Sequence, residues 1–131
     1  MSSLNHNKLN AILGWSAFAI ALITYTLTLE PTVSYWDCGE YISTAVKLEI
    51  GHPPGAPLFQ MLGAFFAMFT SDVTQVAYMV NFMSALASAF TILFLFWTIT
   101  ALAKKMVSKS EEISQSKSYA ILGSGLVGSL A

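Results

Sequence analysis

The residues with the clearest capacity for chemistry are two carboxylates in a polar stretch between apolar segments. Asp37 and Glu40 are three residues apart, which places both side chains on one face if the segment is helical. A carboxylate held in this way can act as a general base that takes a proton from an attacking group. Two neighbouring carboxylates can also bind a divalent cation together. The spacing makes Asp37 and Glu40 the first candidates for a catalytic or cation-binding site.

Two basic side chains follow these carboxylates along the chain. A short helix over residues 36–50 would place Thr44 and Lys47 on the same face as the two carboxylates. Tyr41 would lie on the opposite, apolar face. His52 lies in residues 51–57, where three prolines and two glycines predict an irregular loop. Both side chains can bind an anionic group. In the structural alternative, the acidic face is only a wetted surface and His52 only occupies a turn.

Apolar helices must position this polar stretch. The chain has 131 residues, 55% hydrophobic and only 10% charged, and this is more apolar surface than a soluble domain of its length buries. We therefore predict an all-α, polytopic integral membrane protein. Its predicted segments are a first span at residues 9–29, an external loop with interfacial helices at 30–72, a second span at 73–103, a cytoplasmic loop at 104–118 and the beginning of a third span at 119–131.

The distribution of lysines predicts the orientation. Lys8 precedes the first span and further lysines follow the second, whereas the loop between the spans holds five carboxylates and one lysine. Lysines favour the cytoplasmic side, so the N-terminus is predicted to be cytoplasmic and the acidic loop external, which is periplasmic in a bacterial inner membrane. We expect the first span to remain as an anchor, because no small-residue cleavage site follows it.

Three other features have simpler interpretations. The chain has six lysines and no arginine, in no run long enough to follow phosphates, which excludes nucleic-acid binding. Residues 123–128 match G-x-G-x-x-G but follow no strand, so we interpret them as helix-packing glycines. Asn81 lies within the second span and is predicted to hydrogen-bond between helices.

Two blocks of the chain resemble a known enzyme family. Residues 28–41 read TLEPTVSYWDCGEY and residues 51–58 read GHPPGAPL. In residue identity and order they resemble the N-terminal sequence of a bacterial polytopic family related to the protein O-mannosyltransferases, in the C-type glycosyltransferase superfamily. The resemblance implies an acidic catalytic motif on a juxtamembrane helix in the first external loop, a His-Pro segment after it and many further spans. It also implies a polyprenyl-phosphate-linked sugar donor and a protein or glycan acceptor.

The resemblance assigns a role to each candidate residue. Inverting sugar transfer needs a base for the acceptor proton and help for the departing phosphate. Asp37 is the candidate base, and Glu40 would orient the acceptor, bind a sugar hydroxyl or share a divalent cation with Asp37. His52 and Lys47 would bind the phosphate of the lipid-linked donor. The Asp-Cys-Gly-Glu and Gly-His-Pro-Pro-Gly blocks are the specific part of the resemblance, since apolar helices match many families.

Two other classes of function stay open at this point. A transporter component would also place Gly- and Pro-broken helices beside a polar site, but near the middle of the membrane. A noncatalytic assembly subunit would leave the acidic loop dispensable and bind partners through the small residues of the second span. The glycosyltransferase instead needs Asp37 and Glu40 at the outer membrane interface.

Overall fold

The computed structural model describes residues 3–107 and 114–131 of the chain. These residues form five α-helices: α1 (Ser3–Leu27), α2 (Cys38–Lys47), α3 (Pro57–Ala67), α4 (Val76–Val107) and α5 (Gln115–Leu130). A 3-10 turn at Val73–Gln75 leads into α4. The described residues contain no strand, which confirms the all-helical prediction.

Two of the helices are long and apolar enough to cross a membrane. The qualifying stretches are Asn5–Leu27 and Val73–Val107, close to the predicted spans at residues 9–29 and 73–103. In the most apolar 18-residue part of each helix, only 17% and 28% of the residues are buried. Helices this apolar in a water-soluble domain are buried on most sides. Their outward surface is therefore largely hydrocarbon.

Helix boundaries differ from the sequence expectation at the second half of the chain. Helix α4 continues through Lys104 to Val107, and α5 begins at Gln115 rather than at residue 119. The Ser114 hydroxyl accepts a hydrogen bond from the backbone N–H of Lys117 at 3.4 Å, which caps α5 at this earlier position. The rest of the predicted loop at 104–118, residues 108–113, lies outside the described residues.

The chain divides into two compact units. The first combines Met1–Thr24 with Ser88–Ala131, and its buried apolar side chains include Ala17, Leu93, Phe96 and Ile121. A polar contact also holds it together, since His6 Nδ1 lies 2.6 Å from Ser118 Oγ, and both residues are buried.

Packing in the first unit explains two of the three glycines at residues 123–128, whereas the space around Gly123 is open. A Cβ added at Gly125 would lie 2.5 Å from Thr100 Cγ2, and one at Gly128 would lie 2.8 Å from Ile99 Cδ1. These two glycines therefore let α5 approach α4 closely, which confirms the helix-packing interpretation for both positions.

The second unit, Tyr25–Ala87, contains the polar stretch. Its core is formed by Ile42, Val80 and Met83, and α2 lies directly against α3. Gly63 permits this approach, because a Cβ there would come within 2.9 Å of Ala45 Cβ. Helix α2 is shorter than the predicted 36–50, and it buries Thr44, which the sequence had placed on the wetted face. That expectation was wrong because the Thr44 hydroxyl has a hydrogen-bond partner inside the unit, the side-chain amide of Gln60.

A left-handed residue ends α2 and turns the chain back. Leu48 has φ 53° and ψ 40°, its N–H donates to Ala45 O at 3.2 Å, and the Glu49 N–H donates to Thr44 O at 2.9 Å. This is the hydrogen-bond pattern of a Schellman motif, in which glycine usually occupies the left-handed position. An L-residue there costs about 1–2 kcal/mol relative to a right-handed conformation.

We expect Leu48→Gly to stabilise the end of α2. Leu48 is 68% exposed, so little burial is lost, and the strain relieved is about 1 kcal/mol. Hydrogen exchange of the α2 amides should slow by about fivefold, the equivalent of that energy. As a control, Val46→Gly, in a right-handed helical position, should speed exchange by a similar factor. Faster exchange in Leu48→Gly would contradict the prediction.

Candidate active site

Three side chains from separate local structures meet in the second unit. Asp37 is the N-cap residue of α2, Glu40 lies in the first helical turn and His52 lies in the loop after the Schellman turn. The loop is closed by a hydrogen bond from the Gly55 N–H to His52 O at 3.0 Å, and Gly55 has φ 74°. This left-handed conformation explains a glycine at that position. The segment at 51–56 is irregular as predicted, and Pro57 begins α3.

Glu40 holds His52 with both of its carboxylate oxygens. Oε1 accepts the backbone N–H of His52 at 2.7 Å, and Oε2 lies 2.8 Å from His52 Nδ1. The other ring nitrogen, Nε2, lies 3.8 Å from Asp37 Oδ2. The imidazole therefore stands between the two carboxylates, and Glu40 fixes its orientation.

The Asp37 carboxylate makes no hydrogen bond that caps α2. Aspartate at an N-cap position commonly accepts a backbone N–H of the first turn, but the Asp37 side chain makes no such bond. It is 59% exposed, compared with 49% for His52 and 40% for Glu40. Of the two carboxylates, Asp37 is thus the more accessible to an incoming group.

The charges of Glu40 and His52 reinforce each other. Hydrogen bonds from the backbone and the ring of His52 lower the pKa of Glu40 below its ordinary value. The hydrogen bond with Glu40, its negative charge and that of Asp37 raise the pKa of His52. The pair is therefore held as carboxylate and imidazolium over a wider pH range than either group alone.

We expect this pair to make stability depend on pH in a defined window. The Glu40 contribution is present above its ordinary pKa of 4.5 and is lost as pH falls through its lowered pKa. The His52 contribution is present below its ordinary pKa of 6.5 and is lost as pH rises through its raised pKa.

Thermal unfolding of the parent protein and of Glu40→Gln measures this window. The difference between their midpoints should be largest between pH 4.5 and 6.5 and should shrink on both sides. A difference that stays constant from acid to alkaline pH would contradict the assigned pair.

Buried hydrogen bonds connect α3 to the backbone carbonyl of Glu40 through Thr44. Gln60 of α3 donates to Thr44 Oγ1 at 3.2 Å, and the Thr44 hydroxyl donates to Glu40 O at 2.8 Å. A Cβ at Gly51 would lie 3.2 Å from Glu40 Oε1, so the chain also passes close to the carboxylate. Sequence reasoning missed the part played by Gln60. A lone polar residue in the apolar run at 58–69 was the available signal.

An apolar cavity of about 380 Å³ lies beside the cluster. Tyr41, Ile42, Ala56 and Phe59 form much of its wall. Tyr41 also makes an edge-on contact with the His52 ring, at 6.3 Å between centroids. The sequence placed Tyr41 only on the apolar face of α2, so its position between cluster and cavity was not predicted.

Lys47 and Asn81, two polar residues that the sequence analysis singled out, lie outside the cluster. Lys47 is exposed at the end of α2 and, within the described residues, takes part in no ion pair. The Asn81 amide donates to the backbone carbonyls of Glu30 at 2.9 Å and Thr32 at 3.0 Å. These acceptors belong to the segment after α1 and not to a helix, which corrects the expected helix-to-helix bond.

The cluster has a donor set suited to a divalent cation. One ligand atom from each of Asp37, Glu40 and His52 lies within 4.8 Å of the others. Carboxylate oxygens suit Mg²⁺ and Mn²⁺, and imidazole adds affinity for transition metals. Both Glu40 oxygens already accept hydrogen bonds from His52, however, so a cation would compete with the imidazolium for the same negative charge.

Fold and site together define a chain whose described residues are helical, with two helices apolar enough to cross a membrane and a carboxylate–imidazole cluster beside an apolar cavity. Residues 37–131 match the family described as the Protein O-mannosyl-transferase TMEM260 N-terminal domain, and the chain belongs to that family. The matched region begins at Asp37 and includes every residue of the cluster. It also includes the two packing glycines of α5.

Two curated relatives support the same assignment. The chain is 36% identical over 83 residues to a protein of Dictyostelium discoideum named Protein O-mannosyl-transferase tmem260, covering 63% of this chain and 10% of that protein. It is 36% identical over 88 residues to Protein O-mannosyl-transferase TMEM260 of Mus musculus, covering 67% of this chain and 12% of that protein. The chain thus spans about a tenth of the length of these relatives. No solved structure matches it.

Proposed function

We propose that this chain forms the N-terminal part of a membrane protein O-mannosyltransferase of the C-type glycosyltransferase superfamily. The enzyme transfers a mannosyl group from a polyprenyl-phosphate donor to a hydroxyl group of a protein acceptor on the extracytoplasmic side. The observation that carries the proposal is the Asp37–Glu40–His52 cluster in a chain whose relatives are named protein O-mannosyl-transferases. The family match favours this function over a transporter component.

In the proposed reaction, Asp37 is the general base. It removes the proton from the acceptor hydroxyl as the acceptor oxygen bonds to the anomeric carbon of the sugar. The bond between that carbon and the phosphate oxygen breaks, and polyprenyl phosphate leaves with the bonding electrons. Support for this role comes from the exposure of Asp37 and from the missing cap bond, which leave its carboxylate accessible.

His52 and Glu40 form the second part of the mechanism. Glu40 positions the imidazolium through Nδ1, so that Nε2 can donate to the oxygen of the departing phosphate. A donor aimed at the charge that develops in the transition state is an effective form of catalysis. Lys47, exposed at the end of α2, would add positive charge at the edge of the loop rather than at the cluster. A divalent cation held by Asp37 and Glu40 would stabilise the phosphate in place of the imidazolium.

The location is part of the proposal. The helices at Asn5–Leu27 and Val73–Val107 cross the membrane, with the N-terminus in the cytoplasm and residues 30–72 outside. The bacterial inner membrane stays a prediction from the sequence resemblance, and the two curated relatives are eukaryotic.

Sealed membrane vesicles containing the full-length protein test the function and the location together. A polyprenyl-phosphate donor carrying labelled mannose is supplied in the membrane, with an impermeant peptide bearing serine and threonine. Vesicles with the extracytoplasmic face outward should label the peptide, and inverted vesicles should do so only after detergent is added. The absence of transfer in both preparations with detergent would exclude the proposed activity. Transfer only by intact inverted vesicles would reverse the orientation.

A further inference from the structure

The segment that joins α1 to α2, residues 28–37, belongs to no helix. Its backbone carbonyls therefore have no helical partners and need donors from elsewhere. The side-chain amide of Asn81 on α4 supplies two hydrogen bonds, to Glu30 O at 2.9 Å and to Thr32 O at 3.0 Å. We call residues 30–33 the strap. Asn81 thus fastens the strap to α4.

The strap is a locally stiff piece of chain. The Thr32 hydroxyl donates to Glu30 Oε1 at 2.9 Å, which closes a short side-chain bridge within the strap. Pro31, between these two residues, has a backbone φ angle that its ring restricts. Because the strap is stiff, the two hydrogen bonds from Asn81 fix it as a unit rather than at one atom.

The other end of the strap lies against the first turn of α2. A Cβ added at Gly39 would lie 3.2 Å from Val33 Cγ1, so the Val33 side chain is close to the backbone there. Gly39 stands between Asp37 and Glu40 in the chain. Asp37 in turn belongs to this turn through its carbonyl, which accepts the Tyr41 N–H at 2.9 Å. A displacement of the strap would therefore reach the turn that carries both carboxylates.

The residue before Asp37 has a conformation that its neighbours must impose. Trp36 has φ 62°, in the left-handed region, and its side chain is 96% exposed. Such a conformation is unfavourable for an L-residue and persists where the surrounding structure determines it. The exposed indole makes too little contact to do so. The position of Asp37 therefore depends on α2 on one side and on the strap on the other.

From these contacts we infer that Asn81 is a positioning residue for sugar transfer. It fixes the strap to α4, and the strap holds the Asp37 carboxylate in place beside His52. The inference rests on the proposed function for the reaction that Asp37 serves, whereas the hydrogen bonds of Asn81 can be tested without that reaction. Asn81 lies within Val73–Val107, where an amide is costly unless protein groups bind it, as the strap does here.

Hydrogen exchange in the full-length protein tests the contact without catalysis. Asn81→Leu keeps a side chain of similar size that donates no hydrogen bond, so the strap should loosen. Exchange of the Tyr41 N–H, which donates to Asp37 O, should then become about tenfold faster, as for the loss of one or two hydrogen bonds. Thr98→Val is the matched control, because the hydroxyl that it removes donates to Phe94 O of α4 itself at 2.8 Å. It should leave this exchange unchanged. Parental exchange in Asn81→Leu, or equal acceleration in Thr98→Val, would overturn the inference.

The same substitution tests the positioning role in the reaction. Asn81→Leu should lower mannose transfer about tenfold, because a small misplacement of a reacting group is costly. It should cause no further loss in Asp37→Asn, where the base to be positioned is already gone. A residue that only stabilises the fold would lower the amount of active enzyme by the same factor in both backgrounds, so multiplied losses would overturn the positioning role. Val33→Ala, at the other end of the strap, should show the same dependence on Asp37.

The two proposals fail in different ways. If the full-length protein transfers no mannose but Asn81→Leu speeds exchange at Tyr41, the proposed function fails and the strap remains attached as described. If transfer occurs and Asn81→Leu equals the parent in both measurements, only the present inference fails.

Discussion

Asp37→Asn should reduce mannose transfer by about 10²- to 10⁴-fold, the usual cost of losing a general base. Asparagine keeps the size of the side chain but cannot take the acceptor proton. Because Asp37 makes no capping hydrogen bond, the substitution should leave α2 folded. The measurement is the rate of transfer from a polyprenyl-phosphate donor by membranes containing equal amounts of each full-length variant.

A second carboxylate of the same loop provides the control for Asp37→Asn. Glu49 is exposed and lies outside the cluster, so Glu49→Gln removes the same charge from the loop without touching the site. It should transfer at the parental rate. Parental activity in Asp37→Asn would show that the acidic face is an ordinary wetted surface, and an equal loss in both variants would point to general loop charge rather than to a base.

The sequence was sufficient to predict the elements that depend on local composition. Long uncharged runs determine α1 and α4, and the three prolines around His52 determine the loop, because neither feature needs a distant partner. The cap at Asp72 is equally local, since its carboxylate accepts the Thr74 N–H at 2.9 Å. Such contacts lie within a few residues and leave a recognisable pattern.

Contacts between distant residues were harder to predict. The spacing of Asp37 and Glu40 suggested that both carboxylates face an incoming substrate, but Glu40 binds a residue twelve positions further along with both oxygens. That contact needs the left-handed turn at Leu48, and leucine gives no sign of such a turn. In the same way, burial of Thr44 depends on Gln60, which belongs to another helix. Tertiary packing therefore decided which side chains of α2 belong to the site.

The contacts of Glu40 with His52 change the role that we expect for Glu40 in the site. If Glu40 binds substrate directly, its replacement should affect transfer independently of His52. If Glu40 positions His52, its effect should depend on the imidazole. In the structure, His52 occupies both Glu40 oxygens, and its Nε2 remains available toward Asp37 and the substrate. We therefore propose that Glu40 is a positioning residue, and its effect on transfer should pass through the imidazole.

A double-mutant cycle on Glu40 and His52 should reveal this dependence. We expect His52→Ala to reduce transfer about 10²-fold, as for other single donors to a developing charge, and to weaken donor binding. Glu40→Gln should cost about tenfold, and the double variant should be no slower than His52→Ala alone, because Glu40 has nothing left to position. Multiplied losses in the double variant would mean that Glu40 acts independently.

The pH profile separates this positioning role from a structural one. Glu40 raises the pKa of His52, so in Glu40→Gln the imidazole loses its proton at lower pH. The alkaline decline of transfer should therefore begin at lower pH in Glu40→Gln than in the parent, and it should be absent in His52→Ala. A merely structural Glu40 would lower the rate equally at every pH. Loss of parental activity in EDTA, restored by Mg²⁺ or Mn²⁺, would instead show that Glu40 and Asp37 hold a cation, since imidazolium positioning needs no metal.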